Sequence, residues 1–184
     1  MPQKIKAFFL FSVILSSFFA TSFLQAGDHF GEIRFGVQAH DLNGNGTKSH
    51  ENGMTLNGEY IFASPKNDFF QFIFAPHPHV GLSLNSGSGT SMAYAGLTWV
   101  LPFQEVWFAE LRLGGAIHNG NVGKETKKKK DYGARALFHT GLSLGYIVFE
   151  RHTISVLLNH ISNGGFAKPN PGFTDLGLRY GYRF

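Results

Sequence analysis

From Phe30 to Asp41 the chain alternates, with Ile33, Phe35, Val37 and Ala39 apolar and Glu32, Arg34, Gln38 and His40 polar between them. A period of two places successive side chains on opposite faces, which predicts a strand with one dry and one wet side. The pattern returns at Met54, Leu56, Tyr60 and Phe62 against Thr55, Asn57 and Glu59, and again at Phe70, Phe72, Phe74, Val80, Leu82 and Leu84 against Gln71, His77, His79 and Ser83. Pro76 and Pro78 interrupt this third segment, and since proline cannot donate to a ladder they predict a bulge or irregular stretch. Further segments follow with Ala93, Ala95, Leu97, Trp99 and Leu101; with Trp107, Ala109, Leu111 and Leu113; with Ala134 to Val148; with Ile154, Val156 and Leu158; and with Leu176, Leu178, Tyr180, Tyr182 and Phe184.

Eight segments is an even number, and the connections between them differ in length. Short turns are expected after segments two (Ser64–Asp68), four and six (Glu150–His152), and longer loops after one (Leu42–Gly53), five (His118–Asp131) and seven. The connection at Asn85–Thr90 fits this alternation least well. The arrangement predicts an all-β fold, an eight-stranded antiparallel transmembrane β-barrel of outer-membrane type. The charges indicate which face is outside. Glu32, Glu59, Glu110, Arg34, Arg112, Arg135, Arg179 and Arg183 all fall on the polar face, and an Arg or Lys facing lipid at mid-membrane costs ~2–4 kcal/mol. A soluble, lipocalin-like barrel would have its faces inverted. Eight strands leave an interior that side chains fill, so an ionic plug is expected and no pore.

Composition refines this picture at the N-terminus. Lys4 and Lys6 precede an apolar stretch from Ala7 to Leu24, which closes at Leu24-Gln25-Ala26. A basic start, an apolar run diluted by serines and threonines, and a small final residue predict a secretory signal peptide over 1–26 and a barrel over 27–184. Setting the signal aside removes two of the 16 Lys+Arg and none of the 12 acids, so half of the +4 net charge goes with it. The remainder gives no case for nucleic acid. The absence of cysteine excludes a disulfide framework, a thiolate metal site and an acylated lipoprotein cysteine.

Strand seven carries an anomaly. Steps of two from Ile154 through Leu158 reach His160 and Ser162, so two polar side chains occupy the lipid-facing side near a strand end. Residues two apart lie roughly 6.5–7 Å apart at Cα and point the same way. A base beside a hydroxyl is the minimum for an activated nucleophile, while a wet strand end would also explain the pair. His77 and His79 are read as lumen packing, the lysines at Lys127–Lys130 as a solvated loop near lipid phosphates, and no metal or cofactor is expected.

The stretch His160-Ile161-Ser162-Asn163, followed by Asn170-Pro171-Gly172, resembles the His-x-Ser-Asn segment and Asn-x-Gly turn of the outer-membrane lipid A 3-O-deacylases (PagL-type). The aromatic C-terminus after alternating Leu, Leu, Tyr, Tyr is similar to the last strand of bacterial outer-membrane barrels. The resemblance implies Ser162 as nucleophile, His160 as general base, and the Asn163 backbone N–H with the Asn170 side chain as oxyanion donors. It implies lipopolysaccharide and outer-membrane lipids as partners, with a homodimer left open. One departure is plain: the family's catalytic glutamate position is Thr174 here, and Asp175 follows it. Three outcomes stay open, in which Thr174 orients His160 weakly, Asp175 or another acid substitutes, or the protein is a slow or inactive relative. A non-enzymatic barrel serving envelope integrity or surface interaction is the reading from a different class.

Overall fold

The computed structural model describes residues 31–42, 51–126 and 128–184, and the expected signal peptide lies outside the described residues. Eight strands form a closed antiparallel barrel in which each pairs with its sequence neighbours: β1 (Glu32–Ala39), β2 (Met54–Ile61), β3 (His77–Asn85), β4 (Met92–Phe103), β5 (Trp107–His118), β6 (Ala136–Val148), β7 (His152–Ser162) and β8 (Phe173–Arg183). Closure comes from β1 against β8, with Glu32 opposite Arg183 and Ala39 opposite Leu176. In hydrocarbon every backbone donor and acceptor must find a protein partner, and a ring of strands has no open edge.

Alternation decides the faces as expected. On β1, Arg34 is 2% exposed while its neighbour Phe35 is 57% exposed. Phe35, Leu56, Leu82, Leu111, Leu142, Val156 and Leu178 face outward, and aromatic side chains ring one end. There Trp107 meets Tyr146 with ring centroids 5.0 Å apart, Tyr60 meets Phe62 at 4.6 Å, and His152 Nδ1 lies 2.6 Å from the Tyr180 hydroxyl. This end has the connections 62–76, 104–106 and 149–151, whereas 40–53, 86–91, 119–135 and 163–172 lie at the other. The two three-residue turns mark the inner end and make the other the outer end.

The interior is an ionic plug. Arg34 spans two carboxylates, bonding Glu32 at 2.8 and 2.9 Å and Glu110 at 3.0 and 2.6 Å. Arg179 joins Glu59 at 3.0 Å to Glu110 at 2.9 Å, Arg112 pairs with Glu59, and Arg183 reaches Glu32 at 3.2 Å. Guanidinium–carboxylate contacts, bidentate at Arg34, keep these buried charges paired. His77 and His79 also face inward, to the Phe62 carbonyl at 3.0 Å and the Thr98 hydroxyl at 2.9 Å.

A second polar cluster caps the outer end. His40 sits between Asp175 and Glu51, 3.0 Å from each, and Glu51 also accepts from the Thr90 backbone N–H at 2.7 Å and the Lys130 backbone N–H at 2.9 Å. Burial disfavours the His40 imidazolium, but hydrogen bonds to Asp175 and Glu51 outweigh it and push its pKa up to about 9. Burial likewise works against a charged Glu51, and the bonds from His40, Lys130 and Thr90 prevail and hold its carboxyl below the ordinary value.

Three expectations are corrected. Phe70, Phe72 and Phe74 are not in a strand. Asn67 accepts the Phe70 N–H at 3.0 Å and starts a short helix, α1 (Asp68–Phe72), so β3 begins only at His77. The connection after β2 is consequently long, residues 62–76, where a tight turn was predicted. Arg135 is not a lumen residue. It precedes β6 and is exposed, and it donates to the carbonyls of His118 at 2.9 Å and Gly120 at 2.8 Å, because parity has no meaning outside the ladder.

Two outcomes are expected from these networks. Glu110→Gln leaves Arg34 and Arg179 short of a buried counter-charge and should destabilise the barrel by about 3–5 kcal/mol, read from urea unfolding in detergent or vesicles. A raised histidine pKa contributes stability that is complete below pH ~6.5 and is lost as pH climbs through about 9. The urea midpoint should therefore fall between about pH 7 and pH 9.5, and His40→Gln should flatten that part of the profile.

Candidate active site

The outer end of β7 is fixed from both sides of the wall. Ile161 points inward and is fully buried, packed with Phe173, Tyr132, Leu137 and Tyr94, and it is the cross-strand partner of Phe173. With Ile161 held inside, parity forces His160 and Ser162 outward, His160 exposed and Ser162 half-buried.

His160 pairs directly across the sheet with Thr174, and its Nδ1 lies 3.0 Å from the Thr174 hydroxyl. Position 174 therefore engages the Nδ1 nitrogen of the imidazole. Among the described residues no hydrogen bond joins Ser162 to His160. Gly172 lies against both: a Cβ there would come within 3.3 Å of His160 Cε1 and 3.3 Å of Ser162 Cβ, and its φ is +56°. Glycine is needed here for both the close approach and the left-handed backbone.

Asp175 stands elsewhere. The register through β8 is regular, so Asp175 pairs with Asn159 and points into the lumen, fully buried. It accepts from the Asp41 backbone N–H at 3.0 Å and is bound by His40. No bulge turns it outward, and it is not within reach of His160 as a replacement acid. It belongs to the outer cap.

The two expected oxyanion donors are paired with each other. The Asn163 backbone N–H donates to Asn170 Oδ1 at 2.9 Å. Because a carbonyl oxygen must face that N–H, the Asn170 Nδ2 is turned away from it. The Asn163 side chain meanwhile donates to the carbonyls of Tyr132, Ala167 and Pro169 at 2.9–3.0 Å and accepts from the Gly165 N–H at 2.8 Å, so one residue organises the whole β7–β8 loop. A second tie comes from Lys130. Its buried ammonium bonds Asp41 at 2.6 Å and the Gly172 carbonyl at 3.2 Å. Sequence reasoning read this residue as part of a solvated loop. Its burial depends on an acid 89 positions away, and no local pattern signals that.

Below the His160–Thr174 pair, Val37, Ala39, Met54, Val156, Leu176 and Leu178 line a shallow apolar groove in the outer wall. Leu176 follows Thr174 on the same face of β8, so the groove starts where the polar pair ends.

Comparison with known proteins places this geometry in a family. Among solved structures, the outer-membrane enzyme PagL superposes with a TM-score of 0.61 at 18% identity, covering 83% of this chain and 99% of that one. The N-terminal β-barrel domain of Pseudomonas aeruginosa OprF gives 0.56 at 13% identity, with 86% and 99% covered. Neisserial surface protein A gives 0.52 at 12%, with 84% and 97% covered. At these identities the likeness is one of fold, an outer-membrane barrel. No match is found among curated proteins. The family described as "Lipid A 3-O-deacylase (PagL)" matches residues 70–183, from α1 through β8 and across the whole candidate site. The chain belongs to the lipid A 3-O-deacylase (PagL) family of outer-membrane barrels.

Proposed function

We propose that this protein is a serine esterase of the outer membrane that removes an ester-linked acyl chain from lipid A. The observation that carries the reading is the His160–Thr174 hydrogen bond beside Ser162, on the lipid-facing wall at the outer end of the barrel. A water-soluble substrate would have no reason to find a site there. A lipid ester has its acyl chain in hydrocarbon and its carbonyl near the headgroups, and the apolar groove beneath the pair suits such a chain.

In the proposed reaction His160 donates its Nδ1–H to Thr174, which leaves Nε2 unprotonated to take the Ser162 proton. The serine oxygen attacks the ester carbonyl, and the Asn170 Nδ2 donates to the developing oxyanion. The Asn163 N–H holds Asn170 in place for this, so Asn163 acts through Asn170. The imidazolium then gives its proton to the departing sugar oxygen. Water, activated by the same nitrogen, releases the fatty acid and restores Ser162.

Thr174 is a positioning residue with a missing function. Its hydroxyl orients His160, but it carries no charge to stabilise the imidazolium. Losing the carboxylate of a serine-protease triad costs roughly 10⁴-fold. The same observation favours a second reading, a barrel that keeps the lipid A site but turns over slowly or not at all.

Expression in a Gram-negative host, with lipid A analysed by mass spectrometry, decides between them. The wild-type protein should yield lipid A lacking one ester-linked acyl chain, and Ser162→Ala should leave it intact. Identical lipid A from two efficiently inserted proteins would refute the esterase reading. Thr174→Glu should raise the hydrolysis rate by at least about 10-fold, a fraction of what a triad acid contributes. No gain in a folded Thr174→Glu variant would mean that the hydroxyl already suffices.

A further inference from the structure

The connection between β2 and β3 does not simply close the inner end of the barrel. Phe69 and Phe72, three apart on helix α1, share a face of it, and both are exposed. Phe69, Phe72 and Phe74 are 64%, 81% and 60% exposed. Such a cluster of phenylalanines facing outward from a strand connection is costly in water.

A tether shows where the cluster sits. The Trp99 indole N–H donates to the Ile73 carbonyl at 2.8 Å. On β4, Thr98 and Val100 point into the lumen and are buried, so Trp99 between them faces outward, on the wall that meets lipid. The end of the segment is therefore held against the outer side of β4, one residue beyond the His77–Thr98 pair that ends the β3–β4 ladder. The return to β3 is made through left-handed backbone at two consecutive non-glycine residues, Phe74 (φ 67°) and Ala75 (φ 48°), and Ala75 is buried. L-residues with a side chain adopt this conformation only at a cost. The chain accepts this strain and presents Phe69, Phe72 and Phe74 outward at the level of the inner-end aromatic ring, which also includes Phe62, Phe103 and Trp107.

We propose that residues 67–75 form an interfacial foot that inserts Phe69, Phe72 and Phe74 into the phospholipid leaflet at the inner end of the barrel, the end opposite His160 and Ser162. The occupant is lipid because the cluster is continuous with the apolar wall of β3 and β4 and is tied to it by a side chain of that wall. Apolar side chains of segments that lie in the membrane plane reach about 5–10 Å into the headgroup–acyl boundary. Such a foot fixes the depth and tilt of the barrel, and through the rigid wall it fixes the height of the outer-end site in the opposite leaflet. The inference does not depend on the esterase reading.

The chain has no cysteine, so single nitroxide labels can be placed without removing any native residue. Labels at Phe72→Cys, at Phe35→Cys in the lipid-facing wall and at Lys66→Cys in the exposed connection would be compared in phosphatidylcholine vesicles. Folding would be checked by heat-dependent gel mobility, with Phe69→Cys replacing any Phe72→Cys that fails to fold. Collision rates with oxygen and with a water-soluble nickel chelate should place position 72 with Phe35, oxygen-accessible and shielded from nickel by several-fold relative to Lys66. A Phe72 label as open to nickel as Lys66 would overturn the proposal. So would a label shielded from both reagents and broadened by a neighbouring spin, which would make the occupant a second copy of the chain.

Discussion

A chain that crosses hydrocarbon with strands must close them into a ring, and the rest of this structure follows from that closure. The β1–β8 ladder is the seam. Once it forms, every residue is either inside or outside, and a one-residue slip in any strand would invert both faces. The salt-bridged plug and the lipid-facing site are consequences of one register. Arg34, Glu110 and Arg179 are in the lumen for the same reason that His160 and Ser162 are not.

The plug and the outer cap do different work. The central charges are buried and paired with one another along the barrel interior. The outer cluster connects loops. His40, Glu51, Thr90, Lys130 and Asp175 come from four different connections or strand ends, and through Lys130 the cluster reaches the Gly172 carbonyl behind the His160–Ser162 pair. A buried network of this kind holds the outer turn still without contributing an atom to the proposed chemistry.

The helix after β2 shows what periodicity cannot resolve. Phe70, Phe72 and Phe74 satisfy a period of two, and Phe69 and Phe72 equally satisfy a helical spacing of three. Over five residues the two patterns cannot be distinguished. The outcome turned on Asn67, whose side chain caps the first turn, and on Trp99, whose indole receives the end of the segment from another strand. The capping residue was visible in the sequence, but the bond from Trp99 on the neighbouring strand to Ile73 was not.

Strand number, the inward charges other than Arg135, and the outward placement of His160 and Ser162 were legible from alternation, because side-chain parity along a strand is a local property. The family's residues could likewise be recognised where they stood, including the departure at Thr174. What Thr174 and Asp175 do was decided only in three dimensions. The unbroken β7–β8 register sets Thr174 against His160 and directs Asp175 to His40, 135 positions earlier in the chain. The burial of Lys130 and the pairing of Asn163 with Asn170 were decided in the same way. Parity depends on a residue's neighbours in the chain, whereas a hydrogen-bond partner depends on where closing the barrel brings distant loops together.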